Sequence, residues 1–114
     1  LVGSDMCIRD SQSTGRFLFE AAASAGAQAA GRSSGQITEG KIADLMAVST
    51  DNEFLCNRLG DTVLDSLVFT GRGRSCVTDV WSAGRHMVKD GRHIHRDRIV
   101  ARFIEVTNQL GQDI

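Results

Sequence analysis

The sequence predicts a mixed chain of helices and short strands, fold class α/β. Three observations carry this. Residues 13–30 are dense in alanine and open with Ser13 and Thr14, both suited to capping a helix. Residues 76–91 read as two strands about a two-residue turn, closed by a second turn. Ile99, Phe103, Val106 and Leu110 recur at intervals of four, three and four, which is one face of a helix.

Taken in order, the first predicted helix covers residues 13–30, with Gly31 at its C′ position. Its stripe is Phe17, Ala21, Ala25 and Gln28 or Ala29, flanked by Leu18 and Ala22. Gly26 costs about 1 kcal/mol in the helix interior. Residues 32–40 form a polar loop turning at Gly35 and Gly40, with Ile37 as its apolar anchor. Leu45-Met46-Ala47-Val48 is a short strand without clean alternation, so it is expected to be buried on both faces. Residues 50–57 are a loop with room for one helical turn. Residues 61–69 stay open between helix and strand. Val63, Leu64, Leu67 and Val68 have helical spacing, whereas Leu67-Val68-Phe69 could end as a strand. Gly71-Arg72-Gly73-Arg74 reads as a flexible turn.

Residues 76–81 and 85–89 form the hairpin around Ala83-Gly84, and Asp90-Gly91 makes a second turn of the same kind. Period-two alternation puts Val77, Asp79 and Trp81 on one face and Cys76, Thr78 and Val80 on the other. Residues 95–110 are the last helix, which Gly111 can end.

Composition excludes several function classes. With 114 residues, 41% hydrophobic and 24% charged, the chain is compositionally globular and long enough for one small core. Thirteen basic residues against 14 acids give no reason to expect a polyanionic partner. No apolar run reaches membrane-spanning length, and no signal peptide is evident. Cys7, Cys56 and Cys76 are odd in number and far apart. They fit buried free thiols in a cytoplasmic protein better than a zinc pattern or a disulfide framework.

His93-Ile94-His95 is the one tempting metal motif, but a zinc site needs further converging ligands, and His86 is the remaining histidine. Hydrogen bonding at a helix start, or exposure to solvent, is the expected role. Residues 85–102 hold Arg85, Lys89, Arg92, Arg96, Arg98 and Arg102 against Asp90 and Asp97. No aromatic platform accompanies them, so a solvated face or salt bridges to another part of a larger protein or a second subunit is expected instead of nucleic acid. Residues 71–74 lack the Lys-Ser pair of a phosphate loop. Ser4, Ser13 and the other serines lack a nucleophile-elbow context. The Asp44 carboxylate is expected to cap local backbone amides. No residue is assigned as catalytic, cofactor-binding or metal-ligating.

Two motifs carry a family resemblance. Gly35-x-Ile37-x-x-Gly40-Lys41-x-Ala43-Asp44-Leu45 and Val80-Trp-Ser-Ala-Gly-Arg-His-Met-Val-Lys-Asp-Gly91 resemble the C-terminal signatures of the amidohydrolase superfamily. Gly91-Arg92-His93-Ile94-His95-Arg96-Asp97-Arg98-Ile99-Val100-Ala101-Arg102-Phe103 narrows the resemblance to the formimidoylglutamate deiminase family. Thr78-Asp79-Val80-Trp81, the run from Leu64 to Gly71, and Ser13-Thr14-Gly15-Arg16 are similar to that family too. The resemblance covers roughly residues 12–110 and is collinear.

This resemblance implies a fragment of a (β/α)8-barrel amidohydrolase. Residues 12–34 would be the terminal barrel helix, 35–93 the C-terminal part of a β-rich composite domain, and 94–114 a C-terminal helix. It implies hydrolysis of N-formimidoyl-L-glutamate to N-formyl-L-glutamate and ammonia in histidine degradation. In the full-length enzyme one zinc, held by three histidines and an aspartate, would activate water, and carboxylates would move protons. The fragment itself would bind no zinc and be inactive. Its expected partners are the missing N-terminal barrel and small-domain strands, a small-molecule substrate and, at full length, a second subunit. An open strand edge and uncovered apolar surface predict poor solubility for the chain alone.

Residues 1–11 have two readings. Gly3-Ser4-Asp5 could end a barrel strand, with Asp5 matching the metal-site aspartate. The favoured reading is that the segment resembles translated sequencing-adapter sequence. Alternatives for the whole are another amidohydrolase, such as a guanine or adenosine-type aminohydrolase, or a free-standing β-rich interaction module.

Overall fold

The computed structural model describes residues 13–113. The expectations for residues 1–11, Asp5 and Cys7 included, lie outside them. The elements are helix α1 (Thr14–Ala29), strand β1 (Leu45–Val48), helices α2 (Asp61–Phe69) and α3 (Gly73–Cys76), strands β2 (Val77–Ser82), β3 (Arg85–Lys89) and β4 (Arg92–His93), and helix α4 (Arg96–Gln112). The chain is therefore mixed helix and sheet. The strands form one antiparallel sheet in the order β1-β2-β3-β4.

Helix α1 begins and ends as its residues dictate. Ser13 Oγ accepts from the Arg16 amide at 3.1 Å. At the other end Gly31 takes φ 62°, so its amide reaches Gln28 O and the Arg32 amide reaches Ala27 O. These two bonds satisfy carbonyls the helix leaves open. The covered face differs from the predicted one. Phe17 of the predicted stripe is half-buried, but beyond it Phe19, Ala23 and Ala27 are half-buried while Ala21 and Ala25 are exposed. Apolar residues lie all around the first turns, so the stripe was ambiguous, and packing against α2 and the loop at Gly35 chose the face.

Gly15 sets the closest helix approach. It is buried, and a Cβ there would lie 2.5 Å from Asp65 Cα. The Gly15 amide donates to Asp65 Oδ1 at 2.7 Å, so α2 caps the first turn of α1. Arg16 adds ion pairs to Glu20 and Asp61.

Residues 61–69 are helix, which settles the ambiguity. Residues 73–76 are one short helical turn rather than a flexible loop. The loop before α2 does contain a turn. Asn52 O accepts from the Cys56 amide at 2.8 Å, and Asn52 Oδ1 accepts from Phe54 and Leu55 amides. That turn buries Leu55 completely.

Both hairpin turns match expectation. Ala83 and Gly84 take φ 51° and 79°, and Asp90 and Gly91 take 50° and 75°. Two consecutive positive values give the turn whose twist matches paired strands. A register shift between Val80 and Trp81 sets Trp81 opposite His86.

Three expectations about burial fail for one reason. Leu45 and Met46 of β1 are exposed, Ile37 is 91% exposed, and α4 buries none of its residues. Strand β1 has a single neighbour, and α4 makes no extended contact with another described element. Helix α4 also continues through Gly111 to Gln112, since Gly111 takes a helical conformation. Cys76 is a buried free thiol as expected, whereas Cys56 is exposed. Among the described residues the buried apolar core is Leu55 and Cys76. The radius of gyration is 18.3 Å, against about 13 Å for a compact domain of ~100 residues.

Candidate functional site

The structure gathers side chains at three places. The first joins the end of α1 to the sheet. Asp44, immediately before β1, accepts from Arg32 at both carboxylate oxygens: Arg32 Nε donates to Oδ2, and Nη2 donates to Oδ1 at 2.7 Å. The same oxygen accepts the Ala83 amide at 2.9 Å, and the Gly84 amide donates to Ala43 O at 2.9 Å. The expected amide capping is thus present, but the amide is 39 positions away in sequence. Sequence spacing gave no signal for that. The Arg32 hydrogen bond, followed by the Ala83 amide, holds the Asp44 carboxyl well below the usual carboxylate range.

The second cluster is on the hairpin face predicted to carry Asp79 and Trp81. His86 Nε2 lies 2.8 Å from Asp79 Oδ1, and the His86 ring stacks on Trp81 with centroids 4.5 Å apart. Hydrogen bonds from Thr78, then His86, lower the Asp79 carboxyl below its ordinary value. Trp81 is the chain's single tryptophan, so it reports this contact directly. The His86→Ala variant is expected to shift Trp81 emission to longer wavelength and raise its intensity. An unchanged spectrum would refute the stacked arrangement.

The third is the pair His93 and His95. Their ring centroids are 5.8 Å apart, and His93 Nδ1 accepts the His95 amide at 3.0 Å just before α4. This is the helix-start hydrogen bonding expected from sequence. Among the described residues, no group of three or more His, Cys, Asp or Glu side chains converges to hold a metal ion. The donor set therefore does not fit a zinc site of the kind the resemblance implies.

Among the described residues a groove of about 870 Å3 lies between α1, residues 35–38, β1 and α2. Phe19, Leu45, Met46, Val63, Leu64 and Leu67 are among its lining, with Arg16, Glu20 and Asp44 as charged groups. All three of those charges already have ion-pair partners: Arg16 with Glu20 and Asp61, and Asp44 with Arg32. The mostly apolar lining suits packing against another surface.

No family model matches the chain. Over 101 residues, 89% of its length, the chain is 38% identical to a curated protein of Pseudomonas aeruginosa. That relative is a formimidoylglutamate deiminase. The chain spans 22% of the deiminase's length. The sequence resemblance to that family therefore holds over most of the chain, while most of the deiminase has no counterpart in it. Among the described residues no helix is long and apolar enough to cross a membrane.

Proposed function

We propose that the chain is the C-terminal part of a zinc-dependent, cytoplasmic hydrolase of carbon–nitrogen bonds other than peptide bonds. Its substrate is N-formimidoyl-L-glutamate, which with water gives N-formyl-L-glutamate and ammonia. The single observation that supports this reading is the 38% identity across 89% of the chain. In this reading the metal ligands and all of the (β/α)8 barrel but its terminal helix, residues 12–34, belong to the portion of the enzyme outside the matched 22%. The small core and the uncovered groove favour a piece that packs on a larger body. The chain's own residues would shape that body. Asp44 ties the hairpin turn to the segment after α1, and Gly15 locks α1 against α2.

A chimera tests this. Residues 13–113 replace the matching segment of the Pseudomonas deiminase, and ammonia release is followed with formimidoylglutamate and with guanine. Activity on formimidoylglutamate within about tenfold of the parent, with none on guanine, is expected. A soluble, zinc-loaded chimera that releases no ammonia from formimidoylglutamate would overturn the assignment. The isolated chain is expected to release none from either compound.

A further inference from the structure

We infer that α4 is a self-association helix, pairing antiparallel with α4 of a second copy of this chain. Two independent observations meet here. Ile99, Phe103, Val106 and Leu110 form a stripe spaced four, three and four, the seam pattern of paired helices. Ile99, Phe103 and Leu110 are each more than half exposed, and no other described element packs along them.

Charge placement commits the stripe to a second copy in one orientation. Arg96 opens the helix, and Asp113 caps its end. Each sits where the helix dipole disfavours its charge. Among the described residues neither has an ion-pair partner, whereas Arg92 pairs with Asp97 and Arg102 with Glu105. An antiparallel twofold pair that places Phe103 beside the partner's Val106 also places Ile99 beside the partner's Leu110. The same register brings Arg96 to the partner's Asp113, twice per dimer. Each adverse charge then meets an opposite charge and the opposite dipole end. A parallel pair would set Arg96 against Arg96 and Asp113 against Asp113. The contact is isologous and closes as a dimer. It is independent of the proposed activity.

Sedimentation of the 114-residue chain between 1 and 100 μM (about a hundredfold range around a typical transient interface) tests it. A concentration-dependent dimer is expected. Arg96→Asp and Asp113→Arg should each weaken it about tenfold, since each removes two surface pairs. The double variant, Arg96→Asp with Asp113→Arg, should recover the parent affinity, and Phe103→Asp should abolish the dimer. As Arg96→Asp puts an acid at a helix start, it should favour the isolated helix, so weakening cannot come from unfolding. A chain monomeric throughout would overturn the inference. So would a dimer indifferent to Phe103→Asp, a double variant that does not recover, or aggregates insensitive to these changes.

Discussion

Gly15→Ala is expected to separate α1 from α2. The added Cβ would sit 2.5 Å from Asp65 Cα and equally close to Asp65 Oδ1. The first obstacle is backbone, so no side-chain rotation can relieve it. Either the helices move apart or the 2.7 Å bond from the Gly15 amide to Asp65 is lost. Overpacking and loss of a hydrogen bond to a carboxylate together cost about 3 kcal/mol. Amide exchange across α1 and α2 should accelerate by roughly a hundredfold if local opening limits it. Gly26→Ala is the control. Nothing lies within 4 Å of its Cβ position, so this change should stabilise α1 by about 1 kcal/mol. Equal effects at the two positions would show that helix propensity, and not the contact with Asp65, governs Gly15.

Asp44→Asn should free the first hairpin turn. The carboxylate holds the Arg32 guanidinium and the Ala83 amide at once, and a carboxamide cannot keep both with full strength. Exchange of the Ala83 amide is expected to speed by about tenfold, with the Asp90-Gly91 turn unaffected. The pH dependence has a definite sign. The folded carboxyl is held below its unfolded value, so its contribution is present in full above the unfolded pKa of about 4 and declines as pH falls through the depressed folded value. Acid should therefore accelerate Ala83 exchange in the parent, relative to intrinsic rates, and should have no such effect in Asp44→Asn. An acid response that persists in the variant would assign it to another group. Because the site is solvent-exposed, high salt should also weaken the Arg32 pair.

Local chemistry was legible in the sequence wherever the deciding interactions span a few residues. Ser13 and Gly31 bound α1 because capping needs a side-chain oxygen at one end and positive φ at the other. Ala83-Gly84 and Asp90-Gly91 make their turns for the same local reason. The family likeness was legible too, in the runs 35–45 and 80–103, and the 38% identity to formimidoylglutamate deiminase agrees with it. Residues 61–69 were not legible, because a run rich in Val, Leu and Phe satisfies helix and strand alike until α1 offers a packing surface.

Burial was the property that sequence periodicity misjudged. An apolar stripe states that a residue could be covered, but not by what. Ile37, Met46 and Phe103 are apolar and exposed: Ile37 and Met46 line an open groove, and no described element packs along Phe103. The Asp44 bond to Ala83 and the Gly15 approach to Asp65 were equally invisible, since they join positions 39 and 50 residues apart. The sequence by itself determined the two hairpin turns, the ends of α1 and the relative this chain resembles, all set by short-range backbone preference and residue identity. Only the tertiary structure decided which faces are covered, where Asp44 makes its bonds, and how closely α1 approaches α2 at Gly15. Those outcomes depend on distances between segments that no local preference encodes.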